Sequence, residues 1–108
     1  MVNFSLEGKI ALVTGASYGI GFGIASAYAE AGATICFNDI SQEKVDMGLA
    51  SYKEAGIEAH GYVCDVTDEA QVKEMVAKIS EEVGAIDILV NNAGISRIVA
   101  MSFCEPRS

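Results

Sequence analysis

The stretch Thr14-Gly15-Ala16-Ser17-Tyr18-Gly19-Ile20-Gly21 carries glycines at the spacing Gly-x-x-x-Gly-x-Gly. An apolar segment, Lys9 to Val13, precedes it, and a segment of small residues, Ile24 to Ala31, follows. Strand, glycine turn and helix in that order make a pyrophosphate site. A pyrophosphate carries two negative charges, and a helix N-terminus offers unpaired N–H groups and a partial positive charge of about half a unit. The phosphates must come close to the backbone, so Cβ atoms obstruct; glycine removes them and accepts positive φ. On this reading Gly15 turns the chain out of the strand, Gly19 permits the approach and Gly21 lets helix and strand pack. Ser17 and Tyr18 stand where side chains reach an adenosine ribose or phosphates, and Ile20 belongs to the same site. The alternative is a small-residue turn that only joins strand to helix.

Other candidates fall at intervals along the chain. Asp39 ends an apolar run beginning at Thr34. A carboxylate there accepts from the adenosine 2′- and 3′-hydroxyls and repels a 2′-phosphate, which favours NAD over NADP. No Lys or Arg lies near the turn to hold such a phosphate. Asp65 and Val66 follow a third apolar run; Asp65 either accepts from the adenine amino group, with Val66 packed on the ring, or caps the turn before Thr67. Asn91, Ala93 and Gly94 belong to Asn91-Asn92-Ala93-Gly94, placed after a fourth run. There Asn91 bridges backbone groups of neighbouring strands while Ala93 and Gly94 let a ribose lie close; a plain Asx turn is the other option.

The elements that must hold these residues alternate. Strands are expected at Ile10 to Val13, Thr34 to Asn38, Glu58 to Val63 and Ile86 to Val90. Helices are expected at Gly21 to Ala31, closed by Gly32; at Gln42 to Glu54, capped by Ser41 and closed by Gly56; and from a Thr67 cap to Val83, closed by Gly84. The last helix has an apolar face of Val72, Val76, Ile79 and Val83. Such strand–helix repeats give a parallel sheet with right-handed crossovers, and the expected strand order is 3-2-1-4, half of a doubly wound sheet plus its switch point. The class is α/β: a Rossmann-type parallel sheet with helices on both faces, incomplete at about four strands. Residues 1–94 read as the dinucleotide-binding half-domain and residues 95–108 as a divergent tail holding the single proline, Pro106.

Composition narrows the function classes. The chain has 108 residues, 51% of them hydrophobic, and a formal net charge of −8. Such a balance disfavours nucleic acid and anionic membranes, which need a basic face. No apolar run approaches the roughly 20 residues of a membrane span. Met1 to Glu7 has no basic segment followed by an apolar core, so a cytoplasmic location is expected. Cys36, Cys64 and Cys104 have no Cys-x-x-Cys spacing and read as reduced thiols, and together with the single His60 they make no metal site.

Taken together, Thr14-Gly15-x-x-x-Gly19-x-Gly21, Asp39, Cys64-Asp65-Val66 and Asn91-Asn92-Ala93-Gly94 resemble the short-chain dehydrogenase/reductase family from about Phe4 to Gly94. Ser5 to Val13, Phe37 to Ile40 and Tyr52 to Tyr62 are most similar to the gluconate 5-dehydrogenases, with 3-oxoacyl-carrier-protein reductases second. The resemblance implies reversible hydride transfer between a nicotinamide and a carbonyl/hydroxyl pair, here 5-ketogluconate and gluconate. It also implies homo-oligomeric full-length relatives. In the family a tyrosine, a lysine four residues later, a serine and an asparagine do the proton chemistry, all beyond the Asn-Asn-Ala-Gly motif.

The chain departs from that pattern at those residues. Phe22, Gly32, Gly56 and Val66 stand four residues after Tyr18, Tyr28, Tyr52 and Tyr62, and no lysine follows Lys78. No catalytic residue is assigned. The expectation is the cofactor-binding portion of a truncated enzyme, inactive by itself, ended by a lost reading frame or by a genuinely short product. Two other readings stand beside it: a nucleotide-binding module working alone or with a partner, and a chain too short to fold stably, its fourth strand left as an open edge.

Overall fold

The computed structural model describes residues 5–92. Four strands and three helices alternate: β1 (Ile10–Thr14), α1 (Gly19–Glu30), β2 (Thr34–Asp39), α2 (Gln42–Glu54), β3 (Ala59–Val63), α3 (Glu69–Glu82) and β4 (Ile88–Val90). The sheet order is β3-β2-β1-β4, and every pairing is parallel. The expected α/β class and strand order are both present.

Alternation along the central strands assigns the two faces. Ala11 and Val13 of β1 and Ile35 and Phe37 of β2 cluster with Ala25 of α1 and with Val45 and Tyr52 of α2. Leu12 and Cys36, the residues between them, cluster on the opposite face with Val72, Met75 and Ile79 of α3. Two helices thus cover one face and one covers the other. On α3 the fully buried stripe is Val72, Met75 and Ile79, and the expected Val76 and Val83 are partly buried at its border.

Caps set the helix boundaries. Ser41 caps α2 as expected, its Oγ accepting from Lys44 N at 3.3 Å. Asp68 caps α3 in place of Thr67, its carboxylate accepting from the amides of Ala70 and Gln71. An aspartate that serves two amides outcompetes the threonine, and Thr67 is drawn into the Asp65 turn instead. Gly32, Gly56 and Gly84 follow their helices with positive φ, the left-handed step that reverses the chain. β4 is shorter than the run from Ile86. Asp87 stands at its entrance, exchanging N–H to Ile10 O at 2.8 Å and accepting Ile10 N–H on Oδ2 at 2.9 Å.

The thiols of Cys36 and Cys64 are buried and unpaired as disulfides. Burial, with the nearby Glu82 carboxylate, pushes Cys36 from an ordinary 9.0 to about 12. Burial, with Asp65 and Asp68, pushes Cys64 to about 11. Between these values the folded chain keeps both protons while the unfolded chain releases them. The unfolded state then binds fewer protons, so stability falls as pH rises. We expect the thermal midpoint to decline from about pH 9 upward and the folded chain to resist alkylation of both thiols at about pH 8. A midpoint level across that window contradicts the burial.

Candidate dinucleotide-binding site

β1, β2 and β3 deliver their carboxyl ends to one edge of the sheet, and the glycine turn Gly15–Tyr18 leaves β1 there. Gly15 and Gly19 have φ of +63° and +66°, the left-handed values that favour glycine. A Cβ on Gly19 meets nothing within 4 Å, so the space before the helix is open. A Cβ on Gly21 would lie 2.8 Å from Gly15 O and 2.9 Å from Ala16 Cα. Gly21 therefore lets α1 seat directly on the turn.

The N-terminus of α1 differs in kind from the other two. Tyr18, its N-cap residue, makes no side-chain capping bond, and the first turn contains no acid. The first turns of α2 and α3 carry Glu43 and Glu69 besides their caps. Tyr18 and Ile20 beside this terminus are 57% and 78% exposed. Ser17 is buried, and its Oγ has no hydrogen-bond partner among the described residues. A helix terminus with no side-chain cap, a first turn free of acids and a buried hydroxyl without a partner among the described residues fit the phosphates of a dinucleotide.

A cavity of about 210 Å³ adjoins the turn and brings Gly15, Asp39, Asp65 and Val66 together, with Ile40 and Thr67 on its wall. One Asp39 oxygen, Oδ1, accepts from Ile40 N at 2.9 Å; the other has no partner among the described residues. Asp65 Oδ1 accepts from Thr67 N at 2.9 Å and from Thr67 Oγ1 at 2.6 Å. These bonds hold the Asp65 carboxyl below its usual range. The turn-capping role of Asp65 is thus present in the structure. Larger concavities lie elsewhere, one of about 640 Å³ at Ala33, Thr34, Ile57 and His60 and one of about 390 Å³ along β3 and α3. The first is at the amino ends of the strands, away from the edge where parallel sheets bind ligands.

Residues that sequence reasoning passed over hold this edge in place. Gly15 N donates to Asn38 O at 2.9 Å and to Asn38 Oδ1 at 3.3 Å, and Asn38 Nδ2 donates to Cys64 O at 2.9 Å. Tyr52 of α2 donates its hydroxyl to Ala16 O at 2.7 Å. Asn92 Nδ2 donates to Gly15 O at 3.2 Å, so the backbone bridge expected of Asn91 is made by its neighbour. Asn91 Oδ1 faces Thr14 Oγ1 at 3.3 Å instead. Asn38 left a signal, being a polar residue inside a buried strand. Ala93 and Gly94 lie outside the described residues, as does the tail 95–108.

The short chain dehydrogenase family matches residues 9–107. The chain belongs to that family, whose members bind NAD(P). The match runs through most of the segment that reads as divergent in the sequence.

Among particular proteins, the chain is 50% identical over 93 residues to 2-dehydro-3-deoxy-D-gluconate 5-dehydrogenase of Formosa agariphila, covering 85% of this chain and 35% of that protein. The solved 2-keto-3-deoxy-D-gluconate dehydrogenase of Streptococcus agalactiae superposes with a TM-score of 0.89 at 56% identity, over 94% of this chain and 47% of that one. A gluconate 5-dehydrogenase of Burkholderia cenocepacia, solved with NADP and tartrate, gives a TM-score of 0.77 at 45% identity, over 88% of this chain and 37% of that one. The chain spans about a third of the length of the curated relative, 35%.

The two glycines give separable outcomes. Gly21→Ala drives a methyl into backbone and is expected to cost about 2–3 kcal/mol in urea unfolding. Gly19→Ala meets no atom but takes a strained φ, costing about 1 kcal/mol, and it places its methyl in the open approach to the helix. It should therefore weaken dinucleotide binding more than it weakens the fold.

Proposed function

We propose that this chain is the NAD(P)-binding portion of a short-chain oxidoreductase of the gluconate 5-dehydrogenase type, and that by itself it transfers no hydride. The observation that carries the binding half is the bare N-terminus of α1, fronted by Gly19 with its open approach and backed by the orphaned Ser17 hydroxyl. Bound there, a nicotinamide dinucleotide would supply the hydride acceptor or donor. The chain's own residues hold the other end of that molecule. The amides opening α1 and Ser17 meet the pyrophosphate. Tyr18 and Ile20 border it, Asp39 takes the adenosine hydroxyls, and Asp65 with Val66 flanks the adenine. Asn91 is assigned to the nicotinamide ribose, and the sequence motif alone assigns Ala93 and Gly94 to the same group.

NAD is proposed as the preferred cofactor. Asp39 keeps one carboxylate oxygen unengaged at the cavity wall, and a 2′-phosphate would sit against that charge. The absence of a Tyr-x-x-x-Lys pair from these 108 residues supports the second half of the proposal, since that pair is what passes the proton to the substrate oxygen in the family. A sugar acid as the substrate of the whole enzyme rests on the relatives named above. Residues 1–94 form the binding half-domain in this reading, in the cytoplasm.

Calorimetric titration of the 108-residue chain tests the proposal. NAD is expected to bind more tightly than NADP, and Asp39→Ser to narrow the difference by about tenfold, the worth of one like-charge contact near a surface. A folded sample that takes up neither dinucleotide refutes the binding half. Gluconate-dependent NAD reduction by the purified chain refutes the other.

A further inference from the structure

The phosphate turn is gripped from behind by a helix that has no other part in the site. Tyr52 of α2 is fully buried. Its ring lies between Phe22 of α1 and Phe37 of β2, with centroids 4.6 and 5.0 Å away. Its hydroxyl reaches the turn and donates to Ala16 O at 2.7 Å. Gly48, one helical turn earlier on α2, approaches the same stretch so closely that a Cβ there would stand 2.9 Å from Ser17 Cα. Both ends of the Ala16–Ser17 peptide unit are thus referred to α2.

A trans peptide is planar, and its C=O and the following N–H point in opposite directions. Fixing Ala16 O towards Tyr52 therefore turns Ser17 N–H away from α2. The unit has two glycines close by, Gly15 and Gly19, both in the left-handed region, and the Tyr52 hydroxyl is the side-chain group that holds its carbonyl.

Resting on the dinucleotide-binding reading above, we propose that Tyr52 is a positioning residue for the pyrophosphate: its hydroxyl fixes the Ala16–Ser17 peptide plane and so presets the turn's donors, without touching the ligand. The ring supports the core, and the hydroxyl supports the site. Ligand affinity divides accordingly. A ligand that engages the turn draws on Tyr52, whereas one that engages only the Asp39 and Asp65 end does not.

The test compares ADP-ribose, which carries the pyrophosphate, with adenosine, which does not, on the 108-residue chain. For Tyr52→Phe the dissociation constant of ADP-ribose is expected to rise about five- to tenfold, the loss typical of one preset hydrogen bond, while that of adenosine stays level. Replacement of Tyr52 by p-aminophenylalanine, which keeps a donor at the same place, restores most of the ADP-ribose affinity. Equal losses for both ligands, or no loss for either, overturn the proposal and leave Tyr52 a core residue. Where Tyr52→Phe does not fold, the p-aminophenylalanine chain carries the test: it keeps the donor to Ala16 O and is expected to keep the wild-type preference for ADP-ribose over adenosine, and loss of that preference in a folded sample overturns the proposal. A wild-type chain that binds adenosine but not ADP-ribose removes the dinucleotide reading itself, and a wild-type preference that survives Tyr52→Phe removes only the role of Tyr52.

Discussion

Asn38 is the tie on which the carboxyl edge of the sheet depends. Its carbonyl and its side-chain oxygen both take the amide of Gly15, where β1 gives way to the glycine turn, and its side-chain nitrogen reaches the carbonyl of Cys64 beyond β3. One buried amide thereby links three successive crossovers at the level where their loops begin. The Asn38 to Cys64 bond is buried, and a buried polar group left unpaired costs about 1–3 kcal/mol. An apolar residue of similar size would leave the Cys64 carbonyl without its side-chain donor at the place where Asp65 and Val66 must be presented. The Asn38 tie, the Tyr52 bond and the Asn92 bridge converge on Gly15 and Ala16 from three directions, and so the turn has a fixed shape despite its glycines.

The three helices divide the work. α1 lends its terminus, α2 braces the turn, and α3 seals the opposite face under Leu12 and Cys36. Their electrostatics follow the same division. In a chain of net charge −8, acids sit in the first turns of α2 and α3, where they are stabilising. The first turn of α1 has none. Negative charge is abundant on this molecule and kept from the one terminus that faces a glycine-framed approach.

Much of this was legible in the sequence because it depends on short-range chemistry. Alternating apolar runs fix strands and helices. Glycine spacing fixes the turn, and Ser41 fixes the start of α2. The strand order followed from the doubly wound pattern that a strand, glycine turn and helix imply, which needs no knowledge of side-chain contacts. What escaped is of a different kind. Tyr52 and Ala16 are 36 residues apart in sequence and Asn38 and Cys64 are 26 apart, and nothing local marks such pairs. Thr67 and Asp68 illustrate the same limit at close range. Both are good caps, and the choice between them was made by Asp65 holding Thr67 and by Gln71, whose Nε2 donates to Asp68 Oδ2 at 3.0 Å. Of Asn91 and Asn92, adjacent and identical in type, only the geometry at the end of β4 says which one reaches Gly15.

The pairing of β1 with β4 has a kinetic consequence. β1 meets β2 across one short crossover, but its bonds to Asp87, Asn91 and Asn92 each span 77 residues. Closing so long a loop carries a larger entropic penalty, and non-local strand pairings form slowly. The glycine turn, α1 and β2 therefore have a route to assembly well before β4 docks. Until it does, Gly15 O lacks the Asn92 bond. The turn reaches its final rigidity only once β4 has docked, so the strand with the longest loop to close is also the one that completes the edge.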